Sequence, residues 1–445
     1  MNIFSEFLNG LSGFSEMKQA IDSGISPLSV TGVSGIHKSH FVSACGKISL
    51  VIAEDEAAAK RLCDDINALS DDQCAVLYPA KDFTFTNVEG VSREYEQARL
   101  SVLTSLCGLT SHPCRIVLAS AEAAMQKTLP PDELKRHTVI LEPDMDIPVP
   151  ELTEKLIAAG YSRTDKVEGA GQFSVRGSIT DIFPVSETFP VRLEFWGDTI
   201  DTVSAFDIES QRRTDTLKRI AVPPAMEVLF DSPSALINKI EEISKGVRGK
   251  RTELIRSKLA ADTDRLNSGL SLGNIDKYLP AAYEKPASLF DYFTSDTVLF
   301  FSEYHNCTEK MKSVRSQHNE DIKILLEEGE LCRGLEGYIL EQGEFERETE
   351  KLTSVYLDTF MRGNGGIKFQ KLISVNANQT APWGGEIRQL IEELQGFCSH
   401  GYVTAVMAGS EKTLPIIAND LREEGIPCDI ISDRTELKSG RVYLM

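Results

Sequence analysis

Through the first 140 residues, short runs rich in Val, Ile and Leu alternate with stretches of helical periodicity, and no other feature constrains the fold as much. The runs are SPLSVTG, KISLVIA, CAVLYPA, CRIVLAS and HTVILEP, with EDEAAAKRLCDDINAL and SREYEQARLSVLTSL among the stretches between them. Apolar runs without polar alternation are buried on both faces. Strands of this kind separated by helices form a mostly parallel sheet covered by those helices. Glu54, Asp55 and Ser92 stand where side-chain oxygens cap first helical turns.

The pattern changes at Pro148 and Pro150. A helical stretch, ELTEKLIAAGY, stops at Gly160. GQFSVRGSITDIF and PVRLEFWGDTIDTVSAFD then alternate at period two, with Gly197-Asp198 as a two-residue hairpin turn. This predicts a separate β-rich domain over 139–223. Helices return over 224–344 with one further apolar run, TVLFFSEYHN, so the α/β domain begun in 1–138 is expected to be split around the insert. A Glu-rich stretch, LEQGEFERETEKL, reads as a link to a last α/β unit over 345–445. There FQKLISV, YVTAVMAG and PCDIIS are strands, and EIRQLIEELQGF and SEKTLPIIANDLREEG are helices. The closing RVYLM reads as a strand entering a core with no polar tail, which predicts a longer parent chain.

Several function classes recede on composition. No run of about 18 apolar residues offers a membrane span, and the N-terminus lacks the basic-then-apolar order of a secretory signal. Nine scattered cysteines form no CxxC pair and no zinc-finger spacing, which fits a reducing cytoplasm. A formal charge of −20 repels phosphate backbones unless a local patch overrides it. The densest cationic run, Lys245 to Lys258, has the spacing of a solvated helical face.

A nucleotide site is visible but incomplete. After SPLSV come Thr31-Gly32-Val33-Ser34-Gly35-Ile36-His37-Lys38-Ser39, in which Gly32, Lys38 and Ser39 match the phosphate-loop pattern GxxxxGK[ST]. His37 replaces the glycine whose backbone N–H groups curl around phosphate oxygens, and its side chain crowds that space. A second requirement is an acidic residue at the end of an apolar strand to hold Mg²⁺. Val298-Leu299-Phe300-Phe301 ends instead in Ser302-Glu303-Tyr304-His305, similar to the DESH motif of the excision-repair protein UvrB. Ser302 stands for the metal-holding Asp, while Glu303 and His305 remain. Two losses in one site make ATP hydrolysis an unexpected activity, and no metal or nucleotide cofactor is expected. No GxSxG, HExxH or paired-cysteine motif supplies another active site.

The insert carries the more specific surface. Alternation places Val191, Leu193 and Phe195 inward, and Arg192, Glu194 and Trp196 outward. Continued through GQFSVRGSIT, it places Phe173, Val175 and Ile179 inward, with Ser174, Arg176, Ser178 and Thr180 outward. The outer face thus offers Arg176, Arg192 and one of only two tryptophans. Both residue types are enriched among interface hot spots. An edge tryptophan packed on a loop, among solubilising arginines, is the blander alternative.

The segment GAGQFSVRGSITDIFPVSETFPVRLEFWGDTIDTVSAFDIESQRRTDTL resembles a module shared by UvrB and the bacterial transcription-repair coupling factors. Its marks are G-x-[FY]-x-x-R-G, D-I-F-P, R-L-E-F-W-G-D-x-I-D and F-D-x-x-S-Q-R. The split domain with decayed nucleotide motifs is similar to the N-terminal, UvrB-like region of those factors. The resemblance implies a RecA/UvrB-type parallel-sheet domain, an inserted β-rich domain and a second small α/β domain. It further implies a non-catalytic adaptor that binds UvrA. Arg176 and Arg192 would make contacts to carboxylate or carbonyl groups, and Trp196 would be the apolar anchor. The parent would be an ATP-driven DNA translocase acting on stalled RNA polymerase and double-stranded DNA. ATP and Mg²⁺ would belong only to its motor domains, and its C-terminal domain would mask the UvrA-binding face. Two other readings stand beside this one: a residual nucleotidase using Lys38, Ser39 and Glu303, and a nucleic-acid binder using Lys245–Lys258.

Overall fold

A computed structural model describes residue 8 and residues 10–70, 73–87, 92–110, 113–361, 366–376, 386–408, 410–431 and 437–445; Trp383, the second tryptophan, lies outside these. A seven-stranded parallel sheet dominates. Its strand order is Lys371–Ser374, Leu28–Thr31, Thr353–Asp358, Val298–Ser302, Ser49–Ala53, Ile116–Ser120 and Ala75–Tyr78. Alternate side chains enter two different cores. Leu50, Ile52, Leu299 and Phe301 lie in one, and Val51, Ala53, Val298 and Phe300 in the other. Burial on both faces is why these strands read as unbroken apolar runs. On the helix after Ser49–Ala53, Asp55 accepts from the Ala58 N–H at 2.7 Å as expected of a cap. Ser92 makes only a 3.4 Å contact with the Glu94 N–H, and Arg93 takes the cap position.

Val298–Ser302 lies between Ser49–Ala53 and Thr353–Asp358, so the chain leaves this sheet for the insert and comes back. The mixed α/β class with a large parallel sheet and an inserted β-sheet is therefore the observed one. Three local expectations need correction. HTVILEP does not join the parallel sheet: Val139–Leu141 pairs antiparallel with Ile220–Val222, clamping the two ends of the insert together. Only Leu141 of that strand is buried, too little apolar surface for a two-sided position. LEQGEFERETEKL is not a linker. Gln342–Glu350 is a helix with a Glu341/Glu344 capping box, and its Phe345 packs edge-on against Phe290 at 5.3 Å. The third correction concerns the boundary at 345. Thr353–Asp358 and Lys371–Ser374 complete the large sheet, because their inward residues Val355, Leu357 and Ile373 fill its second core.

The last unit begins with the helix Ile387–Ser399. Its three parallel strands run Val403–Val406, Arg441–Leu444, Cys428–Ile430, with the closing strand in the centre and a core of its own. The insert is a six-stranded sheet in the order Arg213–Thr216, Thr199–Phe206, Val191–Trp196, Ile179–Ile182, Gln172–Arg176, Ser162–Arg163. All nine cysteines are free thiols. Among the described residues no helix is long and apolar enough to cross a membrane, and no group of His, Cys, Asp and Glu could hold a metal ion.

Candidate functional site

The outer face of the insert is set by its two hairpins. Gly197 takes φ +65° in the turn between Val191–Trp196 and Thr199–Phe206, and Trp196 flanks it with 85% of its surface exposed. Val191, Leu193 and Phe195 are buried beneath, as alternation requires. The other hairpin turns on Gly177-Ser178, and here the expected facing fails. A two-residue turn sets its flanking residues opposite each other on the same face, so Arg176 pairs with Ile179. Ile179 is thus outward and Thr180 inward, and Asp181 joins the outer face beside Ser174 and Arg192. Alternation carried through the turn had given the opposite parity.

Asp181 is the centre of that face. Its side chain is 1% exposed. One carboxylate oxygen accepts from Arg192 Nε at 2.7 Å, and the other accepts from Arg192 Nη2 at 2.9 Å and from Arg176. The two arginines differ sharply. Arg176 keeps 48% of its side chain exposed, whereas Arg192 keeps 13%. Arg192 lies over the Phe206 ring at 4.5 Å and donates to the Gln211 carbonyl at 3.1 Å and the Gln211 Oε1 at 3.3 Å. The Asp181 hydrogen bonds hold its pKa above the usual guanidinium value, against a smaller opposing effect of burial. Gln211 is a non-glycine residue at φ +59°, in a turn where Asp207 accepts from the Ser210 N–H at 2.8 Å. The hydrogen bond from the Ser210 hydroxyl at 2.7 Å, then that from its N–H, lowers the Asp207 pKa.

D-I-F-P, R-L-E-F-W and F-D-x-x-S-Q-R therefore meet as one hydrogen-bonded assembly. Asp181, Phe206 and Gln211 have parts in it that sequence reasoning did not assign. The motifs contained the signal, but only the pairing across strands shows which residues it brings together. Glu194 is further paired with Arg213 of the edge strand. What remains free to touch a partner is chiefly Trp196 and the half-exposed Arg176.

At the nucleotide-like site, Leu28–Thr31 leads through Gly32 (φ +85°) and Gly35 (φ +49°) into the helix Ile36–Cys45. A Cβ on Gly32 would meet the Val375 carbonyl oxygen at 1.9 Å, so close backbone approach requires glycine there. The structure brings Lys38 and Glu303 together at 2.5 Å, with the lysine side chain 6% exposed. Glu303 also accepts from the Thr359 N–H at 2.9 Å and from the Thr359 hydroxyl. Burial opposes its charge, but the bonds from Lys38 and Thr359 outweigh that and hold its pKa below the ordinary value. Glu303 adopts φ +57° where Val298–Ser302 turns into the helix Tyr304–Glu328. Ser39 is fully buried and Ser302 partly so. Burial lowers the His37 pKa, and its Nδ1 is enclosed without a hydrogen-bond partner. Lys38 is thus ion-paired with a carboxylate of the same chain.

A third cluster went unforeseen. Lys81, Glu96, Arg99, Glu227 and Asp276 are buried together where the insert rejoins the large domain. Arg99 Nε meets Glu227 at 2.5 Å, and Lys81 Nζ meets Asp276 at 3.0 Å and Glu96 at 3.2 Å. The Glu227 N–H donates to Glu96 at 2.8 Å.

Residues 139–227 match the family described as UvrB interaction domain. The whole chain is 27% identical to the transcription-repair-coupling factor of Bacillus subtilis (strain 168), covering 38% of that protein. It is 26% identical over 99% of its length to the factor of Staphylococcus haemolyticus, again 38% of the relative. With the factor of Staphylococcus aureus (strain MRSA252) it shares 24% identity over 89% of its length, or 34% of the relative. The chain thus spans less than two-fifths of the relatives it matches. The insert thus matches the UvrB interaction domain family over residues 139–227, in a chain similar along its whole length to transcription-repair coupling factors.

Proposed function

We propose that this chain is a recruiting module that binds UvrA through the outer face of its insert and does not turn over nucleotide. The observation that carries the reading is Trp196, 85% exposed on the same sheet face as the half-exposed Arg176, on the domain that matches the UvrB interaction family. Tryptophan and arginine are the residue types most enriched among interface hot spots. In the longer parent, the module would bring UvrA to stalled RNA polymerase, with ATP-driven movement on double-stranded DNA supplied by other domains. The Lys38–Glu303 pair supports the non-catalytic half, since a nucleotide phosphate would have to displace Glu303 from the lysine.

Calorimetric titration of the chain against UvrA tests this. Micromolar or tighter binding is expected, weakened at least about tenfold by Trp196→Ala and by Arg176→Ala. A folded wild-type chain that does not bind would overturn the proposal. Magnesium-dependent ATP turnover above that of a Lys38→Ala variant would overturn its non-catalytic half.

A further inference from the structure

Asp181 carries two cations on an outward face yet is itself almost wholly enclosed. A carboxylate there is costly to bury unless its partners satisfy it, and Arg176 and Arg192 do so. The exchange works in both directions. Arg192 is fixed on four sides, by Asp181, the Phe206 ring, and the Gln211 backbone and side chain. Arg176, on the neighbouring hairpin, would otherwise be a long side chain free to sweep solvent. Its bond to Asp181 ties one end of the guanidinium to the sheet while 48% of the side chain stays exposed. Ordering such a side chain at the moment of binding costs affinity, and ordering it beforehand removes that cost.

We infer that Asp181 is a positioning residue for the partner surface: with the enclosed Arg192 beside it, it holds Arg176 in its binding geometry without touching the partner. The inference rests on the reading of this face as the UvrA-binding surface. Asp181 offsets one of the two guanidinium charges and Arg213 pairs with Glu194, so within this cluster one cationic charge is left over, on the more exposed Arg176.

The test is calorimetry against UvrA with the whole chain, using Asp181→Asn alone and in an Arg176→Ala/Arg192→Ala background. Asp181→Asn preserves shape and removes the charge that orders both arginines. It is expected to weaken binding at least tenfold by itself and less than twofold once both arginines are gone. A merely structural role would lower affinity equally in both backgrounds and would overturn the inference, as would full-strength binding by Asp181→Asn. If Asp181→Asn does not fold, as judged by circular dichroism, Asp181→Glu takes its place. That variant keeps the charge but displaces the guanidinium groups, and the same two outcomes decide. Failure of the wild type to bind would overturn the proposed function and the positioning role together. Binding by the wild type that Asp181→Asn retains would overturn the positioning role alone.

Discussion

Trp196 and Arg192 share a face but answer to different forces. Trp196 leans on almost nothing in its own chain, so the folded state gains little from it. Its replacement by alanine is expected to leave the unfolding free energy within about 0.5 kcal/mol of the wild type. The same change should cost about 2–4 kcal/mol of partner affinity, as loss of an interface anchor does. Arg192 is the reverse case, ion-paired to Asp181 and stacked on Phe206. Arg192→Ala leaves a buried carboxylate short of donors and should destabilise the fold by about 2–3 kcal/mol. Urea melts of the two variants check this. Equal destabilisation by both would show that the division of this face into holding and touching residues is wrong.

At the scale of elements, the strands of the large sheet were readable because burial on both faces leaves no polar residue to blur the run. Positions that depend on a partner far along the chain were not. Nothing near Thr353–Asp358 says that it lies beside Leu28–Thr31, and a two-residue turn reversed the facing of Ile179 and Thr180. Glu96 shows the same limit for charge. In SREYEQARL it looks like one more solvated carboxylate, yet it lies buried against Lys81 with Arg93 beside it. Burial works against its charge, but those cations prevail and hold its pKa down to about 2, from an ordinary 4.5. A depressed carboxylate stabilises fully above its unfolded pKa, so its contribution is complete above about pH 4.5 and is lost as pH falls toward 2. Lys81 is shifted upward, burial being outweighed by Asp276, Glu227 and Glu96, so its contribution persists through acid and neutral pH and fades only in alkali. Glu96→Gln should therefore cost about 3–5 kcal/mol at pH 7, the usual result of breaking a buried ion pair. Its stability should also fall less than the wild type's between pH 4.5 and 2. Urea melts at stepped pH read both effects, and wild-type stability of the variant at pH 7 would rule out a stabilising role for the cluster.

For the whole molecule, the question is whether a chain of charge −20 reaches its target by protein contacts or by holding nucleic acid itself. The strongest argument for the latter is the cationic run Lys245–Lys258, at the tip of a hairpin formed by the helices Pro233–Gly246 and Thr252–Asn267. Much of that run is already engaged. Arg248 donates to the Lys245 and Val247 carbonyls and Arg256 to that of Ser244, closing the end of the first helix, and Lys258 pairs with Glu330 at 2.5 Å. Lys245, Lys250 and Arg251 are left exposed to solvent. Three phosphate contacts give a salt slope of about −2.7, or roughly a twentyfold loss of affinity between 50 and 150 mM salt. Repulsion from the rest of the chain weakens binding further. Fluorescence anisotropy with a labelled duplex should therefore find at most weak binding at low salt and none at 150 mM. Alanine at Lys245, Lys250 and Arg251 together should remove the low-salt signal. Micromolar binding that survives 150 mM salt would mean that the acidic surface is overridden locally, and that this module reaches DNA directly as well as through a protein partner.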